Sequence, residues 1–489
     1  MQNVNIERLA LQMFEWILIF GACGVIAGAF GGGIVHTIPG THGEGGVSGA
    51  LLGAVKGGIA GALAGVLGKV VSAAVIRFKG RSTENLIGNR NNGEMSAQRR
   101  SSRVVLLMHR FWDTLENGRW LPMLLFVMTC ICMWFIRGVH HGGDTGRYLG
   151  GAEHFLLGQA LTGKAGAYIG YIVFVGTIKL LGFGETGVIA VQILVSAVCV
   201  FALYDLGRRF AGETCGIAAA SLYAVNLDIA RFTFAILTDS LYTSGLILSV
   251  YLTYRTMHSA KFWAVPAGLI VLLTGSIRPG GGLIIPIFAA FIVFSIFNKR
   301  NSLQRFIFLL IVVALLFPLF LGPMKISYKA ENPVEKLMSG YVIYGHHDSR
   351  LKMPRGVDIS SEDVDSLYEY CIKYPGSCLK LFLARIIVFF EHTRSFYSFR
   401  HNLLILITFL PLYALAVFGF AYRIRDQFTW LVLSLVAFQA VFVGLTFADW
   451  DGRFLTYIFP LITLYSAVGA VCFARKVFPI RKAGVVGVA

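Results

Sequence analysis

Long apolar runs separated by short polar segments dominate the chain along its whole length. Many of these runs reach about 17 residues or more, close to the length that an α-helix needs to cross the hydrocarbon core of a bilayer. The pattern predicts an all-α fold: a polytopic transmembrane helical bundle with about 10 spans in its core, an N-terminal two-helix hairpin and outward-facing loops. The predicted core spans are 120–137, 186–206, 213–226, 239–257, 262–276, 279–298, 306–322, 402–422, 429–447 and 454–473.

Composition divides the chain into four parts. Glycines recur at every fourth position from Gly45 to Gly65, which gives a helix face on which another helix can pack closely. We expect this face to pack within the hairpin, and it is also a candidate surface for self-association. The four predicted parts are a Gly-rich transmembrane hairpin (1–76), a basic cytoplasmic linker (77–119), the main transmembrane domain (120–475) with a large outward loop (323–401), and a cytoplasmic tail (476–489).

The excess of basic residues is distributed as in a membrane protein. The net charge of +17 would by itself also suit a protein that binds nucleic acid. If the apolar segment 166–182, which Lys179 interrupts, does not cross the membrane, the basic loops at 255–261, 299–305 and 423–425 all fall on one side. That bias is typical of the cytoplasmic side of an inner-membrane protein. We therefore expect a multi-pass inner (plasma) membrane protein with both termini in the cytoplasm, surrounded by membrane lipids and without a nucleic-acid partner.

The polar stretch His140–Gly151 carries the first candidate chemistry. It follows an apolar run, and its one acidic residue, Asp144, stands among glycines at the mouth of a membrane helix. Glycines let a backbone approach a ligand closely, and a carboxylate at a membrane boundary beside cations can stay ionised and act as a base. An ordinary polar loop is the alternative interpretation. The other side chains of interest in this stretch are His141, Arg147 and Tyr148.

Four further polar features fall on the same outward side as Asp144 in this topology. The alternative role for Asp239 is a helix cap, and the alternative role for the arginines is anchoring at the membrane interface. The paired histidines have no cysteine partner and no H-E-x-x-H spacing, so we expect no metal and no cofactor. The four features are Asp228 and Arg231 ahead of Thr238-Asp239, the pair Arg278-Pro279, the segment 449–454 ahead of Pro460, and His346, His347 and Asp348.

The order of these features resembles that of a known family. An aspartate in the first outward loop is followed by a non-spanning apolar segment, Gly207-Arg208-Arg209, Thr238-Asp239, Arg278-Pro279, a large outward loop, and Arg453-Phe454 before a proline. Over roughly residues 120–475 this order resembles the GT-C superfamily of integral-membrane glycosyltransferases, which includes protein O-mannosyltransferases and the aminoarabinose transferase of lipid A. The chain departs from the family at Lys164-Ala165-Gly166-Ala167, which replaces a common proline pair, and in its additional N-terminal hairpin.

The resemblance implies an inverting transfer of a hexosyl or pentosyl unit from a polyprenyl-phosphate carrier to an acceptor hydroxyl on the outer (periplasmic) face. It implies Asp144 as the general base and Asp239 as a second catalytic residue that orients an arginine or the acceptor. The leaving lipid phosphate needs cations, and the planar guanidinium of arginine suits it best. The implied partners are the lipid-linked sugar donor and a lipid, glycan or protein acceptor. The candidate substrate-binding residues are Arg278 and Arg453 first, then Arg231, Arg147, Lys164, Tyr148 and His141.

Two other functions share part of this pattern. A polyprenyl-linked polymerase or ligase for surface polysaccharide would use the same kind of lipid substrate and a large outward loop, with arginines and histidines dominating its site. A transporter would carry charges near mid-membrane in broken helices and would show an internal repeat. Neither transporter feature is found in the sequence.

Two structural features are predicted in the large outward loop. Cys371 and Cys378 flank a Tyr-Pro-Gly sequence that can turn the chain back, so they are expected to form a disulfide in an oxidising compartment. The segment 379–391 places charged residues among aliphatic ones and is expected to lie along the membrane interface.

Overall fold

The computed structural model describes residues 118–161, 163–296, 337–354 and 364–477. The predicted hairpin (1–76), nearly all of the linker (77–119) and the predicted span 306–322 lie outside the described residues. The chain forms two compact units, residues 1–125 with 225–227 and residues 126–224 with 228–489. The structure describes residues 118–125 and 225–227 of the first unit, and the side chains discussed below belong to the second.

The described residues form fifteen α-helices, and the β pairings among them are isolated bridges. This confirms the all-α class that the apolar runs predict. The helices are α1 (Leu121–Arg137), α2 (Thr145–Leu156), α3 (Ile169–Leu180), α4 (Gly184–Ala211), α5 (Glu213–Ala224), α6 (Leu227–Thr233), α7 (Thr238–His258), α8 (Ala264–Ser276), α9 (Ile285–Ile296), α10 (Val364–Lys373), α11 (Pro375–Glu391), α12 (Phe399–Tyr422), α13 (Gln427–Leu445), α14 (Arg453–Thr456) and α15 (Phe459–Val477).

Among the described residues, three helices are long and apolar enough to cross a membrane, namely α4, α12 and α13. Shorter apolar helices of 10–17 residues cover Leu121–Arg137, Lys261–Ser276, Gly281–Ile296 and Phe459–Ala474. Helix α7, a predicted span, has 21 residues but carries buried polar side chains, including Ser244, Ser249 and Thr253. Because burial in protein relieves the cost of exposing hydroxyls to lipid, α7 fits inside the bundle.

The predicted non-crossing segment 166–182 contains α3. This helix has 12 residues and is therefore about 18 Å long, well short of a bilayer core of about 30 Å. Just before its start, the Tyr168 ring lies 5.3 Å from the ring of Tyr148 in α2. Just after its end, Glu185 binds His141 at 2.7 Å, in the segment that leads into α2. Helix α3 thus lies close to α2, with Lys179 in its last turn 2.9 Å from Glu153, and the non-crossing topology stays a prediction.

The predicted last span, 454–473, is not one continuous helix. It is divided into α14 and α15, with a break at Tyr457 and Ile458. Pro460 explains the break, because proline lacks an N–H donor and its ring collides with the carbonyl four positions earlier, that of Thr456. Arg453 is consequently carried by a short helix of its own.

Two glycines allow α12 and α15 to pack closely. A Cβ atom on Gly419 would collide with the backbone of Tyr465, and a Cβ atom on Gly469 would collide with the backbone of Leu415. Small residues permit this kind of approach in membranes, where association depends on close packing. Gly419 and Gly469 therefore let α15 pack against α12, and this packing also positions α14, which comes just before α15.

Basic side chains gather at the end of the bundle where α4 and α7 terminate. Asp205 accepts a hydrogen bond of 2.6 Å from Arg209, and the Arg255 guanidinium lies 3.6 Å from the same carboxylate. Arg423 donates to the carbonyl of Phe210 at 2.6 Å. These arginines are among those that the sequence assigns to the cytoplasmic side, and they lie at the opposite end from the start of α7, where the candidate site is found.

The disulfide expected in the outward loop is not formed. Cys371 and Cys378 are free thiols, the first in α10 and the second in the first turn of α11. Pro375 is the first residue of α11, a position that proline favours because its fixed φ suits a helix start. The Pro375-Gly376 pair therefore begins a helix and does not form the tight turn that the prediction required.

Helix α11 also differs from the interfacial helix predicted over 379–391. Its Arg385 is 1% exposed and donates to the carbonyl of Tyr341 at 2.9 Å, with the carbonyls of Gly444 and Leu445 at 3.4 and 3.5 Å. Burial lowers the pKa of Arg385 to about 10. Because the last carbonyls of a helix lack intrahelical donors, Arg385 satisfies the end of α13 and ties α11 to it.

Candidate active site

Backbone hydrogen bonds fix the segment before α2 against the segment before α7. The N–H of His140 donates to Phe234 at 2.9 Å, and the N–H of Ile236 donates back to His140 at 3.0 Å. The Thr145 hydroxyl donates to the carbonyl of Ile236 at 3.0 Å. Since α7 starts two residues after Ile236, these bonds place Asp144 at the end of the bundle where Asp239 begins α7.

Asp144 lies between two arginines and can be reached from solvent. Its carboxylate is 3.0 Å from Arg147 Nη1 and 3.7 Å from Arg453 Nη1, and its side chain is 28% exposed. It precedes the first residue of α2 without bonding to the helix N–H groups, so its oxygens are not used as a cap. The carboxylate is therefore open to a ligand and already paired with cations.

Asp239 has a different environment, although it too is an acid at a helix start. Its side chain is 3% exposed, and its Oδ1 accepts a hydrogen bond from the Tyr457 hydroxyl. Arg278 Nη1 lies 3.9 Å from the same oxygen. A buried carboxylate held in this way is suited to positioning Arg278 and Tyr457, and the more exposed Asp144 is better placed to take a proton.

Arg278 stands in an aromatic cage. Its guanidinium carbon lies 4.5 Å from the ring centre of Tyr457, 5.2 Å from that of Phe454 and 5.4 Å from that of Tyr242. Burial alone would lower the pKa of Arg278, but Tyr457 and Asp239 more than offset this and raise it. The residue is thus a permanent cation, and its Nη1 is buried without a hydrogen-bond partner.

We expect Tyr457→Phe to lower the free energy of unfolding by about 1–3 kcal/mol, because it removes the donor to a buried carboxylate. Tyr465→Phe is the matched control in α15, since that buried hydroxyl donates to the neutral Thr429 hydroxyl at 2.9 Å. The control should lose about 0.5–1.5 kcal/mol. Thermal unfolding of the purified protein in detergent measures both losses. Equal losses of stability in the two variants would mean that the hydrogen bond from Tyr457 to Asp239 stabilises the protein no more than the bond between two neutral hydroxyls.

Arg453 is positioned by an acid-capped turn. Asp449 accepts from the N–H of Arg453 at 2.5 Å with one carboxylate oxygen and from the N–H of Phe454 at 3.2 Å with the other. A carboxylate at the start of a helix satisfies its free N–H groups. Burial and the neighbouring Asp451 raise the pKa of Asp449 to about 7. Gly452 takes a positive φ of 74°, which glycine adopts without strain.

A second charged cluster anchors the loop 449–452. Arg231 Nε lies 3.3 Å from Asp228, and the Arg231 Nη2 donates to the carbonyl of Asp451 at 2.5 Å. Arg394 donates to the carbonyl of Asp449 at 3.0 Å. Arg231 therefore holds the loop that precedes Arg453, which makes a positioning role the better fit for this candidate than direct contact with a ligand.

His392 closes this cluster against the same loop. Its Nε2 lies 3.8 Å from Asp228, and its ring occupies the space that a Cβ atom on Gly452 would fill. The residue has a positive φ of 59° and is 6% exposed. A side chain at position 452 would displace the ring, so the glycine is required by packing as well as by its backbone angle.

The remaining candidate residues lie at the same end of the bundle with different exposures. Tyr148 is 2% exposed and packs against Tyr171 with ring centres 5.0 Å apart, so it supports α2 from inside. His141 is exposed and bonded to Glu185. Lys164 lies in the 3₁₀ turn at 163–168 and is partly buried. Of the predicted set, Asp144 pairs with Arg147 and Arg453, and Asp239 lies beside Arg278. The guanidinium groups of Arg278 and Arg453 both lie over the ring of Phe454.

Sequence reasoning missed several residues of this site. Tyr457 follows Arg453 by one helical turn, a spacing that places two residues on one face, and this could have identified it. His392 and Tyr242 give no comparable signal in the sequence. In the part of the chain that the structure describes, no group of three or more His, Cys, Asp or Glu side chains could hold a metal ion.

Part of the chain is similar to a known protein family. Residues 167–323 match a family model described as dolichyl-phosphate-mannose-protein mannosyltransferase. This match confirms the GT-C resemblance. The matched residues include Asp239 and Arg278.

No curated protein matches the chain. Among solved structures, the oligosaccharyltransferase of Archaeoglobus fulgidus, crystallised with a tethered acceptor peptide, is similar at 11% sequence identity and a TM-score of 0.39. The similarity covers 73% of this chain and 50% of the archaeal one. This chain therefore spans about half the length of that enzyme.

Proposed function

We propose that this protein transfers a sugar from a polyprenyl-phosphate carrier to an acceptor hydroxyl, with inversion at the anomeric carbon. The observation that carries the proposal is the pairing of a reachable carboxylate, Asp144, with Arg453 at 3.7 Å, beside the caged cation Arg278. A base and phosphate-binding cations at one site are what this reaction requires. The family match over 167–323 supports the same chemistry.

In the proposed reaction, the acceptor oxygen attacks the anomeric carbon as the carbon–oxygen bond to the carrier phosphate breaks. Asp144 takes the proton of the acceptor hydroxyl, and the bonding electrons leave with the polyprenyl phosphate. Arg453 is expected to exchange its ion pair with Asp144 for one with the arriving phosphate. A positioned base contributes roughly 10²–10⁴-fold to the rate of such a step.

Arg278 and Arg453 would bind the phosphate in different ways. Arg278 is fixed by its aromatic cage and by Asp239, so it offers a preorganised cation that needs little reorganisation during the reaction. Arg453 is 28% exposed and links the phosphate position to Asp144. Arg147 and Lys164 remain candidates for the sugar or the acceptor, and His141 is a candidate at the rim.

We propose that the site faces the periplasm, because the opposite end of the bundle carries the basic residues expected in the cytoplasm. Residues 120–475 would then be the catalytic domain. The hairpin at 1–76 and the linker at 77–119 would lie outside it, with the hairpin as the candidate self-association surface. The acceptor would be a lipid, glycan or protein with a free hydroxyl.

The test is a panel of radiolabelled polyprenyl-phosphate hexoses and pentoses offered to sealed membrane vesicles of both orientations. We expect transfer from one donor, with inversion of the anomeric centre, in vesicles that expose the outer face. Transfer confined to inverted vesicles would overturn the assigned face. Retention of configuration would overturn the single-displacement mechanism, and an absence of transfer from every donor would overturn the proposed substrate class.

A further inference from the structure

A small cavity lies directly against Arg278. It has a volume of about 10 Å³, enough for the centre of one water molecule or one oxygen atom. Four aromatic side chains, a guanidinium and an amide surround it. The lining residues are Tyr242, Arg278, Gly280, Phe438, Gln439, Phe442 and Tyr457.

Gln439 is the unexpected member of this lining. It lies in α13, one of the helices apolar enough to cross a membrane, and it is 6% exposed. In the part of the chain that the structure describes, no hydrogen bond joins its side chain to another residue, and the side chain lines the cavity. A buried amide without a hydrogen bond is costly, so an unpaired one calls for an explanation.

A second buried glutamine, Gln192, has a structural role and serves as a comparison. Gln192 is 0% exposed, accepts from the Tyr171 hydroxyl at 3.0 Å and donates to the carbonyls of Thr233 and Ala235 at 2.9 and 3.0 Å. Its amide is fully used in joining α4 to the segment before α7. Gln439 has none of these bonds, so its amide is not needed to hold the helices together.

The guanidinium of the cavity also has an unpartnered nitrogen. Arg278 Nη1 is buried without a hydrogen bond, with the nearest carboxylate oxygen, of Asp239, at 3.9 Å. Two unused donors, a guanidinium N–H and an amide N–H, thus line one oxygen-sized space. An oxygen that carries negative charge suits them best, because hydrogen bonds to a charged acceptor are the stronger ones.

We infer that Gln439 is a further donor-binding residue, and that it and Arg278 together receive one non-bridging oxygen of the carrier phosphate in this cavity. The inference rests on the proposed function, which places that phosphate at Arg278. The remaining phosphate oxygens then face Arg453. Gln439 would recognise the phosphate of the donor and of the released polyprenyl phosphate alike, and it would not contact the sugar.

The test compares Gln439→Met with the matched control Gln192→Met. Methionine keeps the length of the side chain and lacks the amide, and it adapts well to irregular cavities. The first measurement is binding of undecaprenyl phosphate to the purified full-length protein in detergent, which requires no transfer. The second is the donor KM in the vesicle assay, and the third is the Tm of each variant.

We expect Gln439→Met to weaken undecaprenyl phosphate binding and to raise the donor KM by about 10-fold or more, the usual effect of losing one hydrogen bond to a charged group. Its Tm should stay at the parental value or rise, while Gln192→Met, which loses three hydrogen bonds, should lower the Tm. Unchanged phosphate binding with unchanged KM would overturn the inference and would identify the cavity as the site of a resident water. A lowered Tm for Gln439→Met with unchanged phosphate binding would likewise overturn it.

Failure of the inference and failure of the proposed function give different results. If the parent protein transfers sugar while Gln439→Met keeps its donor KM and phosphate affinity, the function stands and the role of Gln439 is wrong. If the parent transfers no sugar from any polyprenyl-phosphate donor, the proposed function is wrong, and the binding measurement still decides whether Gln439 receives a phosphate.

Discussion

Asp144→Asn is expected to abolish sugar transfer, with a fall in kcat of roughly 10²–10⁴-fold, the range attributed to a positioned general base. Asparagine keeps the shape of the side chain but cannot accept the proton of the acceptor hydroxyl. The donor KM should not rise, because the substitution leaves Arg147 and Arg453 in place and removes the carboxylate that competes with the carrier phosphate for them. Initial rates at varied donor concentrations separate the two constants.

The matched control is Asp348→Asn, which removes an exposed carboxylate from the outward loop. It should transfer sugar at the parental rate. The expected loss is confined to kcat, so a variant of Asp144 that kept its kcat within about threefold of the parent would remove this residue as the base. In that case Asp239 could take its place only if the buried bond to Tyr457 were broken during the reaction.

Arg278→Lys and Arg453→Lys are each expected to reduce kcat/KM by about 10–100-fold, which corresponds to the 1.5–3 kcal/mol of one charge-assisted hydrogen bond. Lysine keeps the positive charge but loses the planar, bidentate guanidinium. At position 278 it also loses stacking over Tyr457, whose ring centre lies 4.5 Å from the guanidinium carbon. An arginine that only anchors the protein at the interface would accept lysine with little loss.

The double variant tests whether the two arginines share one phosphate. Residues that act on the same group are not additive, so the double loss should differ from the sum of the single losses. Arg350→Lys is the matched control, since Arg350 is exposed and lies over the ring of Tyr341 at 3.7 Å. Near-parental kcat/KM in both single variants and in the double variant would mean that neither arginine touches the phosphate, and Arg147 and Lys164 would become the candidates.

The sequence alone determined the helical architecture, and it predicts the end of the bundle at which the candidate site lies. Apolar runs predict helices because backbone groups in a bilayer must be satisfied within the helix, and α4, α12 and α13 agree with those runs. The asymmetric basic loops predict a non-crossing α3. Asp144, Arg278 and Arg453 each stand next to an apolar run, so each lies at the end of a predicted span. The predicted direction of those spans places all three on the same side.

The tertiary structure alone decided what each of these residues can do. Asp144 and Asp239 are both acids at helix starts in the sequence, but one is 28% exposed and the other 3%, because only Asp239 is covered by Tyr457. The fold likewise turns Arg231 towards the loop before Arg453 and Arg385 towards the end of α13. Sequence periodicity defines the faces of one helix, whereas contacts between residues more than 200 positions apart, as for Asp239 and Tyr457, depend on which faces meet. For the same reason the unpartnered amide of Gln439 beside Arg278 becomes visible only when α13 is packed against the loop that follows α8.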